Sequence, residues 1–375
     1  MHTRPHPVLL VQLPGADARL LGLSVSTRNA RVATRHDATV ATSEDLASRG
    51  RDLAVLVPPL TAINGSLFPL PSIDQPHWLE SSDAGTRSPA VLAGPADAVI
   101  AYARDLESAA SLPRRRIASD ALFDVSTAAA AREAGWRLLR ATTKPTDGWI
   151  SRTFNRPISQ AISYAALQIG CTPNQATWFA LLVGMASAGV GMQPGWAPFA
   201  IAGVLFQLAS VLDGVDGEIA RTTLAESARG AQFDATVDRL TAIVCFAGVT
   251  IGWVREGAGI AAVTWTAAIG LGLALSLLRA FRFVAVHARG APLLVIDRGI
   301  NQAARESGAV LLRIAARGFA LLRRDLFAVI FMVVGFTGVR SLVPALVAAG
   351  IVIANVTFSL YGREIGAAIR ADVRR

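Results

Sequence analysis

Lysine is all but missing from this chain: Lys144 is the one lysine among 36 basic residues, and arginine supplies the rest. Residues 1–143 hold none, which removes the side chain that commonly meets a triphosphate as a point charge. Charge of either sign is scarce, at 17% of 375 residues against a hydrophobic share of 52%. The mean hydropathy is +0.44, too apolar for an ordinary soluble pair of domains. Cysteine occurs twice, at Cys171 and Cys245, both at or inside apolar segments, so buried free thiols are expected and no disulfide framework. Acidic residues are outnumbered, leaving a net charge of +9. Aromatic-interleaved basic motifs are nevertheless missing, and no nucleic-acid partner is expected. The apolar run after Met1, residues 8–13, is too short for a secretory leader and lacks a small-residue cleavage site. The stretch before about Lys144 is therefore expected to stay in the cytoplasm.

The apolar residues gather after about Thr172, in windows at roughly 174–192, 196–212, 240–254, 258–278, 326–339 and 341–361. At roughly 20 residues per crossing, the second and third need the acidic stretch between them to complete a span. The connecting loops alternate in charge. Arg152 and Arg156 precede the first window, Arg221 and Arg229 follow the second, and a long arginine-rich loop from Arg279 to Arg324 follows the fourth. The intervening loops, around Pro194, Glu256 and Arg340, are short and nearly uncharged. The positive-inside rule then predicts six transmembrane helices, with both termini and the acidic loop cytoplasmic, in a multi-pass protein of the inner (cytoplasmic) membrane. Residues 149–170 and 297–317 mix arginines with an apolar face, as helices lying on the membrane surface do, although 297–317 also reads as a plain cytosolic connector.

Four aspartates stand at the edges of two of these apolar runs. Asp213 and Asp216 are three apart, Asp234 and Asp238 four apart, so on two helices each pair shares one face. A lone carboxylate deep in a membrane costs roughly 2.5–3.5 kcal/mol on insertion scales, and four together also repel. Something cationic must neutralise them. Clustered carboxylate oxygens suit a hard divalent ion, Mg²⁺ or Mn²⁺, and Mg²⁺ normally completes its shell with phosphate oxygens, so a phosphate or diphosphate substrate is expected. Gly214, Gly217 and Gly230 are poor helix-interior residues, about 1 kcal/mol worse than alanine, and suit a place where a ligand approaches the backbone. Read singly, Asp213 also serves as a helix cap, and Arg221 and Arg229 as solvated positive-inside charges.

The pattern Asp213-x2-Asp216-Gly217-x2-Ala220-Arg221-x8-Gly230-x3-Asp234-x3-Asp238 resembles the signature of the CDP-alcohol phosphotransferase (phosphatidyltransferase) family at all eight positions. The resemblance implies an α-helical polytopic fold with six transmembrane helices around a site at the cytoplasmic membrane face. There an alcohol attacks a CDP-linked donor, giving a phosphodiester and CMP. It implies that Asp213, Asp216, Asp234 and Asp238 bind the metals, and that Asp238 is also the general base towards the acceptor hydroxyl. Gly217, Ala220, Arg221 and Gly230 would adjoin the cytidine. The Thr172-Pro173-Asn174 element resembles the family's opening of the first span; Asn174 either contacts the nucleotide or belongs to a capped first turn in which Pro173 fits naturally. Two metals clamping a diphosphate while a carboxylate takes a proton is coherent chemistry on its own. A phosphorylated acceptor would need arginine as well, and Arg279, Arg282, Arg323 and Arg324 lie at the expected level.

Residues 1–140 alternate short apolar runs (8–13, 20–25, 53–57, 90–93) with helix-like stretches (97–106, 125–139), an α/β pattern. The passage from Thr143 through Pro157 resembles the junction in bifunctional inositol-phosphate cytidylyltransferase/di-myo-inositol-phosphate-phosphate synthases. There a cytoplasmic nucleotidyltransferase-like domain precedes the membrane domain. Of that domain's glycine-rich opening, Gly15 and Arg19 match, but Asp17 puts a carboxylate where a phosphate would face glycine. The expectation is a degenerate domain at 1–140, a linker and interfacial helix at 141–171, and a membrane domain at 172–375. The expected partners are a CDP-alcohol donor, an alcohol or phospho-alcohol acceptor, the lipid bilayer and a second copy in a homodimer. A lipid- or nucleotide-binding scaffold without catalysis is the first rival. A cation transporter is the second, although it would spread acidic residues along its path, and none occurs in residues 258–278.

Overall fold

The computed structural model describes residues 8–13, 15, 18–42, 52–68, 70, 73–82, 89–104, 109–144, 147–288, 294–307 and 324–373. The chain divides into two compact units that are not simple halves. The first takes residues 1–144, 160–173 and 217–227, and the second takes 145–159, 174–216 and 228–375.

The first unit is built on a six-stranded mixed sheet. Its strands are β1 (Val8–Gln12), β4 (Thr39–Val40), β5 (Leu53–Val57), β7 (His77–Ser81), β8 (Ala90–Pro95) and β9 (Arg114–Ile117), in the order β4-β1-β5-β8-β7-β9. β1 runs parallel to β4 and β5, β8 is antiparallel to both its neighbours, and β9 is parallel to β7. The apolar runs of β1, β5 and β8 are buried on both faces, as strands covered on each side must be. Leu9, Val11, Ala54, Leu56 and Leu92 pack into one core, and Leu10, Val55, Val57, Val91 and Ala93 into another.

Helix α1 (Val25–Arg35) starts at Ser24, whose Oγ accepts the Thr27 amide at 3.2 Å, an ordinary N-cap. It puts Val32 and Ala33 on one core, and α2 (Ala96–Arg104) puts Val99 on the other. The apolar run 20–25 is not one strand. It forms a tight hairpin of β2 (Arg19–Leu20) and β3 (Leu23–Ser24), turning through Leu21 and Gly22, both at positive φ, the mirror-image turn that suits strand twist. A short second pairing joins β6 (Thr61–Ile63) to β10 (Leu122–Asp124). β7 and β9 carry little apolar pattern and were not among the expected strands.

Helix α3 (Ala128–Ala141) stacks its Trp136 on Tyr164 of α4 (Arg156–Gln168), with ring centroids 4.9 Å apart and planes 3° from parallel. Gln160 of α4 donates to the Leu139 carbonyl at 3.2 Å and to Thr143 Oγ1 at 3.0 Å. The far half of α4 is thus held by protein. Trp149, Phe154 and Ile158 near its start remain exposed, as a helix at a membrane surface would leave them.

In the second unit every expected apolar window falls on a helix: α5 (Pro173–Gly191), α6 (Trp196–Thr222), α7 (Ala228–Trp253), α8 (Gly259–His287), α10 (Arg324–Thr337) and α11 (Leu342–Val373). The amphipathic α9 (Leu294–Ser307) lies between α8 and α10. Among the described residues, three helical stretches are long and apolar enough to cross a membrane: Trp196–Thr222, Ala228–His287 and Leu342–Ala371, with Asp325–Thr337 a shorter apolar one. The 60-residue stretch breaks at Gly257 and Gly259, both at positive φ. Thr250 and Thr266, equally far from residue 258, meet at 3.0 Å, so α7 and α8 fold back on each other. α5 and α7 touch through small residues. A Cβ on Gly248 would sit 2.4 Å from the Ala188 carbonyl oxygen, and one on Gly184 would sit 2.3 Å from Thr241 Cγ2, the close approach that membrane helices use for lack of a hydrophobic driving force. Cys245 lies in this seam and is a free thiol; Cys171 is free too, but only half-buried.

The three loops expected on the non-cytoplasmic side come together. Arg340 is 2% exposed. Its Nε donates to Glu256 at 2.9 Å, its Nη1 to the Gly191 carbonyl at 2.8 Å and its Nη2 to the Gln193 carbonyl at 2.5 Å. Its guanidinium also lies 4.8 Å over the Phe199 ring. Removing one partner of a buried pair costs about 3 kcal/mol. Arg340→Ala is therefore expected to lower the thermal midpoint of the purified protein by several degrees. Arg340→Lys, which cannot fork to three acceptors, should recover only part of the loss. A midpoint unchanged in Arg340→Ala would remove this residue from the list of supports.

Candidate active site

The four aspartates sit where two apolar helices end. Asp213 and Asp216 lie one turn apart near the close of α6, and Asp234 and Asp238 one turn apart near the start of α7. The loop between these helices is short, so the helix ends are neighbours and the carboxylates converge. One carboxylate oxygen each from Asp213, Asp234 and Asp238 lies within 4.8 Å of the others. Asp216 is buried and Asp234 lies against it as well as against Asp213.

Asp216 is held from a third helix: Thr177 Oγ1, on α5, donates to its Oδ2 at 2.5 Å. Thr177 is one turn beyond Asn174, which is exposed in the first turn of α5 behind Pro173. The sequence pattern gives Thr177 no role of its own. The signal was its three-residue spacing from Asn174 on the same face. A second unforeseen side chain is Arg156. A Cβ on Gly214 would lie 3.2 Å from Arg156 Nη1, so the glycine between the first two aspartates makes room for a guanidinium. That guanidinium is fixed by Asp147, whose Oδ2 accepts from Nε at 2.9 Å. In the sequence Arg156 counted only as a positive-inside charge.

The donor set fits a hard divalent cation. Every atom on offer is a carboxylate oxygen, and Oδ1 of Asp234 is buried without a hydrogen-bond partner among the described residues. A buried, unsatisfied acceptor beside two further carboxylates is costly unless a cation takes it up. Ligands 2.0–2.1 Å from one ion lie up to about 4 Å apart, so the observed group needs to close only slightly.

Further along α6, Gly217, Ala220 and Arg221 occupy the last turns before Thr222. Arg221 folds back over Gly217, so that a Cβ there would meet its Nη1 at 3.1 Å. Gly230 lies in the first turn of α7. Of the four arginines considered for an acceptor, Arg279 is engaged by α11. It donates to the Asn355 carbonyl and Oδ1, both at 3.3 Å, and to Ser359 Oγ at 3.1 Å. Arg282 is exposed on α8, Arg324 opens α10, and Arg323 lies outside the described residues. In the N-terminal part, Gly15 abuts Pro59, while Asp17 lies outside the described residues.

Known proteins resemble the chain over the region that holds this site. Residues 170–337 match the family model described as CDP-alcohol phosphatidyltransferase, and the matched range holds all four aspartates. Three curated relatives share the name bifunctional IPC transferase and DIPP synthase. The protein of Archaeoglobus fulgidus is 40% identical over 131 residues, covering 35% of this chain and 26% of its own. That of Thermococcus kodakarensis is 39% identical over 117 residues, 31% and 26%. That of Aquifex aeolicus is 37% identical over 136 residues, 36% and 31%. The chain thus spans between about a quarter and a third of the length of these relatives. Residues 170–337, which carry the eight-position motif and the converging carboxylates, are therefore similar to the CDP-alcohol phosphatidyltransferase family.

Proposed function

We propose that this protein transfers a substituted phosphate group from a CDP-alcohol donor to an alcohol acceptor, releasing CMP, at the cytoplasmic face of a membrane. The observation that carries the reading is the meeting of Asp213, Asp234 and Asp238 within 4.8 Å at the ends of two apolar helices. Asp213, Asp216 and Asp234, with Asp238, would hold Mg²⁺ or Mn²⁺. The ions, when bound, neutralise the diphosphate and the departing CMP. Thr177 fixes the orientation of Asp216. Asp238 accepts the proton of the acceptor hydroxyl; the acceptor oxygen bonds to the phosphorus bearing the donor's alcohol, and the bond from that phosphorus to CMP breaks. Asn174, Gly217, Ala220, Arg221 and Gly230 would adjoin the nucleotide. Six spans with both termini cytoplasmic, in a homodimer of the inner membrane, remain our reading of the charge alternation. The N-terminal sheet domain would be a nucleotidyltransferase relative that transfers no nucleotide, given Asp17 and the lack of lysine before Lys144.

The test is CMP release by the purified protein across a panel of CDP-linked donors and acceptors, with and without divalent metal. Asp213→Asn, Asp216→Asn and Asp234→Asn should each abolish metal-dependent release, and should weaken Mn²⁺ binding read by electron paramagnetic resonance. Asp238→Asn should cut turnover by 10² to 10⁴-fold, roughly the usual worth of a general base, while retaining donor binding. Near-normal turnover in any of the first three sinks the metal assignment.

The relatives' names favour an inositol-phosphate type of acceptor. A second phosphate calls for a cationic grip besides the metals, and arginine's fork suits it. Arg279 is tied to α11, so Arg282 and Arg324 are the better acceptor residues. Arg282→Ala or Arg324→Ala should raise the acceptor KM about tenfold or more, with the donor KM nearly unchanged. If both leave the acceptor KM untouched, the acceptor is unphosphorylated or held elsewhere.

A further inference from the structure

Three arginines of α1, Arg28, Arg31 and Arg35, recur at three- and four-residue spacing and therefore share one face. All three reach one target, the C-terminal end of α6 and the turn that follows it. Arg28 Nη1 donates to the Thr222 carbonyl at 2.5 Å, Arg31 Nη1 donates to the Thr223 carbonyl at 2.6 Å, and Arg35 pairs with Glu226. The last carbonyls of a helix have no partner within it, and the helix dipole makes that end negative. Guanidinium groups are well matched to it. Arg28 is 2% exposed, among the most buried large side chains of the protein. Burial lowers its guanidinium to about 10, which leaves it charged at neutral pH.

The same turn is anchored in two other ways. Leu224 takes a left-handed backbone, φ 55°, as the residue closing α6, with the Ala225 amide returning to the Ala220 carbonyl at 2.9 Å. That position usually falls to glycine. Here leucine holds it, and its side chain packs against the core of the N-terminal sheet with Leu10, Val32 and Val55. Glu218, fully buried, accepts from Ser163 Oγ of α4 at 2.6 Å. Every one of these contacts lies inside the first compact unit, to which residues 217–227 belong.

We propose that the N-terminal domain is a positioning element for the donor-binding segment: its α1 arginines, with Arg28 at their centre, clamp the end of α6 and so set the placement of Gly217, Ala220 and Arg221. This rests on the functional reading above for the role of those three residues. It gives a domain with no nucleotide chemistry of its own a task in the reaction, and it makes Arg28 a positioning residue, since its hydrogen bond among the described residues goes to the Thr222 carbonyl.

The test uses the full-length protein in detergent or nanodiscs, with hydrogen exchange read by mass spectrometry. In Arg28→Met the amides of residues 223–225, which close onto α6, should exchange about ten times faster or more, while β1 and β5 stay protected. The donor KM should rise about tenfold with kcat within a factor of two. Arg28→Lys, which keeps the charge but not the guanidinium's directional donors, should restore part of both. Should Arg28→Met fail to fold, Arg31→Met with Arg35→Met, both at exposed positions, should still speed exchange in 223–225. Unchanged exchange in this segment in whichever variant folds overturns the clamp, even if CMP is released normally. Faster exchange with an unchanged donor KM overturns its link to the donor. If the wild type releases no CMP from any donor, the functional reading fails, and the exchange arm still decides the clamp.

Discussion

Four carboxylates brought to one place at the edge of an apolar helical bundle are the constraint on which the rest of the structure depends. Uncompensated, they would force the ends of α6 and α7 apart, because desolvated like charges repel and each also loses its water. The protein answers with geometry. It brings three oxygens within 4.8 Å, leaves one Asp234 oxygen without a donor among the described residues and secures Asp216 with the Thr177 hydroxyl. Such an arrangement is poor for stability and well suited to taking up a hard cation.

Holding that arrangement is a task for packing elsewhere in the helices. α5 and α7 approach through Gly184, Ala188 and Gly248, so closely that a single added methyl group would strike a backbone carbonyl. Phenylalanines 199, 206, 246, 327 and 331 interlock α6, α7 and α10. The three short loops are gathered by one guanidinium, that of Arg340, which spans Glu256 and three backbone carbonyls. Each device fixes how one helix sits against the next. A metal site needs that rigidity, since its ligands must stay within tenths of an ångström of their places.

The N-terminal domain uses the same chemistry at a helix end. Backbone carbonyls left over at the close of α6 meet arginines from α1, and a leucine in a conformation usually reserved for glycine is kept there by the sheet's core. Two of these contacts are directional hydrogen bonds from a guanidinium to a carbonyl, which a compact ammonium on a flexible stem reproduces less well.

Much of this was legible in the sequence, because it depends on periodicity and spacing. The apolar windows predicted the helices, since a stretch that must satisfy its own backbone in an apolar setting has few alternatives. The three- and four-residue spacing of Asp213, Asp216, Asp234 and Asp238 placed each pair on one helix face before any coordinates. The doubly buried strands β1, β5 and β8 announced themselves as continuous apolar runs. What the sequence withheld were partners distant along the chain. Thr177 meets Asp216 across 39 residues, Arg28 meets Thr222 across 194, and Arg340 meets Glu256 across 84. No local pattern encodes such pairs. A strand such as Arg114–Ile117, with three arginines in four residues, also gives no apolar signal, because its hydrogen bonds to β7 and not its side chains make it a strand. Local chemistry thus determined which helices form and which residues could carry charge into them. Only the folding of the chain decided which guanidinium, hydroxyl and carbonyl would meet, because that choice depends on distances in space that spacing along the chain does not fix.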